Sequence, residues 1–397
     1  MKRFGWILVL LMAASPAWAA KKITVQQLKD MLATMQQEKK TDAEVSSALK
    51  QVELSEELTR STMNSLVQYV SGPYATEQIY VLEARSAVLP PPASDLPSTA
   101  APDAATQKAI LDKAVDYATK TFAQLPSLTA TKTTIRFQDN VEAVAASSGM
   151  HSGATTDSMS DPALVNASQF VHYINSTETP VVFQNGAEQN PQGKDKTPWG
   201  QNGYIALQGQ GPVLSNVVQE AESAEKLNWL RWETINGKPA AVYSFSVDKK
   251  KSRYAVNYCC FPDSDSAGKI NYSSPKGSAG PGASAPANMD PSAHGNFQTA
   301  TSWHNYKATV PYHGEIFVDP DTGIVVRLVT EAEFKTSDVV HQEDQRIDFA
   351  PVAVGAKTLV VPIKTVINTE VVPNGESGSG KFLLRHTLFT SEFKDYK

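Results

Sequence analysis

Histidine and cysteine are the residue types most able to act as a base, a nucleophile or a soft metal ligand. This chain has 7 histidines and 2 cysteines. A nucleophilic hydrolase places a Ser or Cys on a sharp turn beside a partnering histidine, and no G-x-S-x-G segment occurs. His304, His313 and His386 fall on predicted strands, where a packed or solvated ring is more common than a general base. The sequence therefore predicts no catalytic residues and no cofactor, and we expect a protein that is not an enzyme.

A metal site is also not predicted. The two cysteines, Cys259 and Cys260, are adjacent, so they cannot form a zinc-binding C-x-x-C pair. Neighbours on a strand point to opposite faces, which would strain a disulfide between them, and a vicinal redox bridge stays open as the alternative to two free thiols. Asp263 and Asp265 begin a segment similar to a calcium-binding EF-hand loop, but Ser274 stands where that loop has a bidentate glutamate. An ordinary loop rich in Asp and Ser explains this pattern better.

An apolar ligand site is the chemistry that the strand pattern favours. Two predicted hairpins alternate large apolar residues with polar ones: 229–247, which turns at Asn-Gly, and 303–334, which turns at Asp-Pro-Asp-Thr-Gly. One face of the second hairpin is expected to be dry, and the other, which carries Glu315 and Arg327, wetter. A cleft of roughly 300 to 1,000 Å³ at the dry face, near the hairpin over 229–245, is expected and would suit a small apolar ligand. The candidate ligand-binding residues, all expected to point inward, are Trp232, Tyr243, Phe245, Val326 and Leu328.

These strands belong to a chain of several parts. Residues 20–89 have apolar residues at helical spacing and capping boxes at Thr24 and Thr41, which predict a bundle of short helices. Residues 90–102, rich in Pro and Ala, predict a linker. Residues 103–397 predict an antiparallel sheet with packed helices, interrupted by mobile inserts at 147–162, 185–202 and 262–300.

The N-terminal segment predicts export. Lys2-Arg3, an apolar run over 4–14 and the small residues Ala17 and Ala19 have the three parts of a secretory signal peptide, so residues 1–19 are expected to be removed. No later apolar run is long enough for a transmembrane helix. The expected location is the periplasm or the extracellular space. A net charge of −5 gives no basic footprint for nucleic acid.

The order of elements over 125–396 resembles the lipoprotein-carrier half-barrel family, represented by periplasmic LolA- and RseB-type domains. The matching features are the predicted helix 212–225, the strands that follow it and the hairpin segment IFVDPDTGIVVRL. The resemblance implies an α+β fold in which a strongly bent antiparallel sheet, the half-barrel, has helices packed into its concave side. Here an N-terminal bundle of short helices would precede it. The resemblance also implies an apolar concavity for acyl chains, and over its full length the chain resembles exported bacterial proteins of unassigned function.

Two functions are therefore open. In the first, the chain is a non-catalytic envelope protein whose curved sheet binds an apolar or lipidic ligand. In the second, it is a structural or protein–protein interaction module with a filled core, and its partner is another envelope protein. Lipid that stays bound through mild purification would distinguish the first function from the second.

Overall fold

A computed structural model describes residues 21–139, 171–189, 206–207, 211–262, 303–371 and 385–397. Within them the protein is a mixed α+β fold with a ten-stranded antiparallel sheet and six α-helices. The predicted signal peptide, the insert 147–162 and the loop that begins at Asp263 lie outside the described residues. The backbone of Cys259 and Cys260 is in a strand, but their side chains are also outside the described part.

The N-terminal helical region, residues 21–89, contains four helices and a pair of short parallel strands. In chain order these are β1 (Lys21–Ile23), α1 (Val25–Gln37), α2 (Asp42–Leu49), β2 (Val52–Leu54), α3 (Arg60–Leu66) with a 3-10 turn (Val67–Tyr69), and α4 (Pro73–Arg85). The capping boxes predicted at Thr24 and Thr41 are present. The strand pair was not predicted, because three residues are too few to show alternation.

Apolar side chains of the helical region form a core of their own, which includes Leu28, Leu49, Met63 and Ile79. Helix α4 is fixed to α2 through Asp42. The Asp42 carboxylate accepts the backbone N–H groups of Tyr74 and Ala75 at 3.1 and 2.8 Å. It thereby satisfies two donors that the first turn of α4 would leave unpaired.

After a 3-10 turn (Ala93–Asp95), α5 (Ala104–Asp116) continues through a π-helical turn (Tyr117–Thr121) and a 3-10 turn (Phe122–Gln124). Helix α6 (Leu214–Ser223) follows later in the chain. The main sheet contains β3 (Leu128–Asp139), β4 (Val171–Gln184), β5 (Ala187–Gln189), β7 (Asn228–Ile235), β8 (Lys238–Val247), β11 (Tyr312–Val318), β12 (Val325–Ala332), β13 (Val340–Val354), β14 (Lys357–Val371) and β15 (Arg385–Lys394). A three-stranded sheet contains β6 (Ala206–Leu207), β9 (Ala255–Pro262) and β10 (Trp303–Thr309).

The main sheet runs in the order β5-β4-β3-β15-β14-β13-β12-β11-β8-β7. Its two end strands, β5 and β7, are not paired with each other in the described structure, so the sheet is open. The C-terminal strand β15 lies in the middle, between β14 and β3. No helix in the described ranges is long and apolar enough to cross a bilayer.

The predicted insert 185–202 starts too early. Asn185 and Gly186 have φ of 52° and 74° and make a two-residue turn, in which Gln184 pairs with Ala187 across β4 and β5. Asn-Gly suits this turn because both residues tolerate positive φ. The insert prediction was therefore wrong for 185–189, and the rest of it lies outside the described residues. Similarly, Pro262, the first residue of the predicted insert 262–300, ends β9.

Helices pack on both faces of the main sheet. We call the face under α5 and α6 face A; its core includes Ile110, Val217, Tyr243 and Leu328. We call the opposite face, on which the helical region lies, face B. There Val81 and Ala84 of α4 pack with Phe137, Val366 and Leu388. Arg327, predicted to be on a wetter face, is 9% exposed. That prediction was wrong at Arg327 because the helical region folds over this part of face B.

Candidate functional site

Four of the five predicted ligand-binding residues lie on face A as packed side chains. Tyr243, Phe245 and Leu328 are buried in the core beneath α5 and α6, and the Tyr243 hydroxyl donates to the carbonyl oxygen of Gln107 at 2.6 Å. Trp232 is half-buried against this core, and its Nε1–H donates to the carbonyl oxygen of Ala100 at 3.0 Å. These contacts account for the burial of the four side chains without a ligand.

The fifth, Val326, does not join them. A register shift in the β11–β12 pair sets Phe317 opposite Arg327 and Val318 opposite Val325. Val326 is therefore the extra residue of a β-bulge, and Val325 takes the buried position on face A. Val326 packs instead with the face B cluster that contains Phe317 and Val329. The prediction that Val326 points into the same core was wrong.

A cleft on face B, between the helical region and the sheet, has a volume of about 440 Å³. Small-molecule sites have volumes of roughly 300 to 1,000 Å³, so the cleft is large enough for a ligand. A smaller cavity of about 50 Å³ lies on face A beside Gln345. Neither cavity is lined by any of the five predicted residues. We refer to the larger one as the cleft.

One wall of the cleft is formed by α3 and α4. Helix α3 contributes Arg60, and α4 contributes Thr76, Glu77, Tyr80 and Glu83. Side chains three and four residues apart lie on one face of a helix, which is why these α4 positions line the same surface. The neighbouring faces of α4 carry Ile79 into the core of the helical region and Val81 onto the sheet. Packing on both sides therefore fixes the direction of this wall.

The opposite wall is formed by three strands. Ile135 and Phe137 come from β3, Tyr173 from β4, and Thr390 and Glu392 from β15. Alternation along β3 and β15 brings these side chains to face B. Tyr173 lies opposite Phe137 in the strand pair, and their rings meet edge to face with centroids 6.2 Å apart. Tyr80 and Tyr173 are 40% and 46% exposed, so the cleft presents aromatic surface to solvent.

The charged groups of the cleft differ in their partners. Arg60 Nη2 lies 3.7 Å from Glu392 Oε1, and its guanidinium carbon lies 5.9 Å from the centre of the Tyr80 ring. Glu83 binds Lys364 of β14 at 3.0 Å. Glu77 accepts the backbone N–H of Tyr173 at 3.0 Å and lies 3.5 Å from Gln78 Nε2. No cationic side chain within the described ranges forms an ion pair with Glu77.

A hydroxyl group of the sheet wall is also unpaired. Thr133 lines the cleft, and its Oγ1 atom is buried with no hydrogen-bond partner in the described structure. A buried hydroxyl without a partner is unfavourable. The described residues include no group of three or more His, Cys, Asp or Glu side chains placed to hold a metal ion.

Buried ion pairs hold the helical region beside the cleft. Glu57 Oε1 lies 2.5 Å from Arg346 Nη1, and Glu57 Oε2 lies 3.7 Å from Arg327 Nη1. Asp348 lies between the two arginines, at 3.0 Å from Arg346 and 2.7 Å from Arg327. Burial alone would raise the pKa of Asp348, but the two guanidinium groups lower it to about 2. The network therefore links one carboxylate of the helical region to two strands of face B.

Sequence reasoning missed the cleft because its walls come from distant segments, 60–83, 133–137, 173 and 390–392. The alternation over Thr133 and Ile135 and the tyrosines of α4 were visible signals, but nothing local shows that they meet. Comparison of the chain with protein-family models, curated proteins and solved structures found no match. The geometry of the cleft is therefore the basis for a functional assignment.

Proposed function

We propose that the protein is an exported, non-catalytic protein of the bacterial envelope that binds an apolar or lipidic ligand in the cleft on face B. The observation that carries this proposal is a cleft of about 440 Å³ whose walls include Ile135, Phe137, Tyr80 and Tyr173. Apolar surface left in water costs roughly 25 cal/mol per Å², and a ligand that covered the exposed tyrosines would recover part of that free energy. The signal-peptide pattern of residues 1–19 supports export.

We further propose that the sheet of 103–397 is a variant of the lipoprotein-carrier half-barrel. The antiparallel strand order and the two helices on face A support this relationship. In this variant, α5 and α6 fill the side on which the family resemblance implies an acyl-chain site. The ligand would bind instead on face B, where the additional helical region forms the second wall of the cleft.

Uptake of the neutral probe N-phenylnaphthylamine, whose fluorescence increases in apolar surroundings, tests the proposal. Thr76→Trp and Thr390→Trp each place an indole in the cleft from one wall, and both should abolish uptake. The control is Leu230→Trp, on β7 at the other end of the sheet, where Leu230 is 44% exposed. This variant should bind the probe as the unsubstituted protein does. Mass spectrometry of lipid retained after mild purification would identify a natural ligand.

The alternative is a structural or interaction module for another envelope protein. The filled core of face A favours this function for that side of the sheet. A protein that takes up no probe and retains no lipid would support the module and contradict the binding protein. If Thr76→Trp and Thr390→Trp take up the probe as the unsubstituted protein does, the cleft is not the binding site.

A further inference from the structure

We propose that the cleft selects ligands with a positively charged head group, such as an alkylammonium amphiphile, and that Glu77 and the rings of Tyr80 and Tyr173 bind this head. The proposal rests on the proposed function, because it names the class of ligand for the same cleft. It rules against a fatty acid, which carries a carboxylate head.

The charge balance of the cleft favours a cation. Its lining carries three carboxylates, Glu77, Glu83 and Glu392, and one guanidinium, Arg60. Arg60 pairs with Glu392, and Lys364 pairs with Glu83. Glu77 is left with a backbone N–H and the amide group of Gln78 as its partners in the described structure. An incoming cation would meet an attractive charge there, whereas an anion would be repelled.

The aromatic groups favour the same class of ligand. A cation is attracted to the face of an aromatic ring when it lies within about 6 Å of the ring centre. The Arg60 guanidinium already occupies such a position, 5.9 Å from the centre of the Tyr80 ring. The Arg60 side chain is 48% exposed, so a ligand cation could displace it into solvent. Tyr173, next to Glu77, supplies a second ring at the same end of the cleft.

The remaining surfaces suit the body of an amphiphile. Ile135 and Phe137 provide apolar contacts on the sheet wall. An alkyl chain along Ile135 would thus lie beside the acidic, aromatic end formed by α4 and β4. A cationic head on an apolar tail matches both parts of the cleft.

The test is displacement of N-phenylnaphthylamine from the protein by three competitors with the same alkyl chain, each below its micelle concentration. They are dodecyltrimethylammonium, dodecyl maltoside and dodecanoate, with positive, neutral and negative heads. The cation should displace the probe at a concentration about tenfold lower than the anion does. The neutral competitor should lie between them.

Two substitutions assign the preference to named residues. Glu77→Gln keeps an oxygen that can accept the N–H of Tyr173 but removes the charge, so it should reduce the difference between cation and anion to about threefold or less. Arg60→Ala frees the Tyr80 ring and removes a competing cation, so it should increase the difference. Lys108→Ala is the control, because it removes an exposed cation of α5 that does not line the cleft, and it should leave the difference unchanged.

The outcomes separate the two proposals. If the probe is not taken up, the proposed function fails and this inference fails with it. If the probe binds but the anion displaces it as well as the cation does, the binding function stands and the charge preference is wrong. Displacement that is strongest with the maltoside would also overturn the preference and indicate a sugar head group. A difference that Glu77→Gln does not change would remove Glu77 from the site.

Discussion

Arg60 and Glu392 face each other across the cleft, with Nη2 and Oε1 3.7 Å apart, and so connect α3 of the helical region to β15 of the sheet. Both side chains are about half exposed, at 48% and 54%. Exposed ion pairs contribute roughly 0 to 1 kcal/mol, because water screens the charges and two long side chains lose freedom. This contact is therefore weak, and we expect it to break and re-form more readily than the buried ion pairs of Glu57.

We expect Glu392→Gln to change the kinetics of ligand exchange and not the stability. The free energy of unfolding should change by less than about 0.5 kcal/mol, and N-phenylnaphthylamine should dissociate about two- to fivefold faster, since the contact across the cleft is weakened. Stopped-flow fluorescence measures the rate. Asp112→Asn breaks another exposed ion pair, with Lys108 of α5, and should change neither quantity. An unchanged dissociation rate in Glu392→Gln would show that the ion pair does not limit the rate at which the ligand leaves.

Glu57→Ala should destabilise the contact between the helical region and face B. Glu57 is the carboxylate that faces both Arg327 and Arg346, and its loss would leave two buried guanidinium groups with fewer partners. Removing one member of a buried ion pair costs about 3 to 5 kcal/mol. Urea unfolding would measure the loss, and limited proteolysis would show whether residues 21–89 become accessible first.

The matched control for Glu57→Ala is Glu38→Ala, also in the helical region. Glu38 lies 3.8 Å from Lys40, and its side chain is 56% exposed. Its replacement should cost less than about 1 kcal/mol. Equal losses in the two variants would mean that the buried network does not hold the helical region on the sheet.

Asp344→Asn should stabilise the protein above neutral pH. Burial raises the pKa of Asp344 from 3.8 to about 7, even though Gln342 donates a hydrogen bond to it. The folded state therefore holds this proton more tightly than the unfolded chain does. The contribution to stability is greatest below pH 4 and is lost as the pH rises through about 7. At pH 8 the free energy of unfolding of Asp344→Asn should exceed that of the unsubstituted protein by up to about 4 kcal/mol, because each pKa unit corresponds to about 1.4 kcal/mol.

Asp348→Asn is the opposite case on the same strand and serves as the control. The pKa of Asp348 is lowered to about 2 by Arg346 and Arg327 despite burial. Its contribution to stability is present above pH 4 and is lost as the pH falls toward 2. This substitution should therefore destabilise the protein at pH 7 by about 2 to 5 kcal/mol. The measurement is the free energy of unfolding of each variant minus that of the unsubstituted protein, from pH 3 to 8. This difference should increase with pH for Asp344→Asn and decrease with pH for Asp348→Asn. A change in the same direction for both variants would contradict both assignments.

The sequence predicts the local elements of this fold better than their contacts. The capping boxes at Thr24 and Thr41 are local, so a pattern of four residues is enough to find them. The orientation of Val326, by contrast, cannot be read from a local pattern. One bulged residue reverses the face of the side chains before it, and simple alternation does not show where the bulge lies. The burial of Arg327 depends on Glu57, 270 positions earlier by residue number (327 − 57). Contacts of that kind build the cleft as well.

Substitutions in the Asp-Pro-Asp-Thr-Gly turn can separate the energetic effect of side-chain packing from that of backbone strain. Gly323 has a φ of 75°, and a Cβ atom at this position would lie 2.5 Å from Lys113 Cβ of α5. Asp319 Oδ1 accepts the N–H groups of Asp321 and Thr322, each at 3.0 Å, while Lys113 donates to the carbonyl oxygens of Pro320 and Asp321 at 3.3 and 3.1 Å. The turn is therefore both closed by its own aspartate and packed on a helix.

Gly323→Val should cost about 1 to 3 kcal/mol from positive φ and a further 1 to 3 kcal/mol, roughly, from the clash with Lys113. Gly237→Val separates the two costs. Gly237 has a φ of 76°, but a Cβ atom there would meet nothing within 4 Å. The Gly237→Val variant should therefore lose only the cost of positive φ, about 1 to 3 kcal/mol. Urea unfolding of both variants measures the difference, and equal losses would show that contact with Lys113 does not matter.

Because Asp319 bonds the backbone of its own turn, adding a chelator should leave the stability of the unsubstituted protein unchanged; a decrease would instead indicate that a metal ion organises the turn.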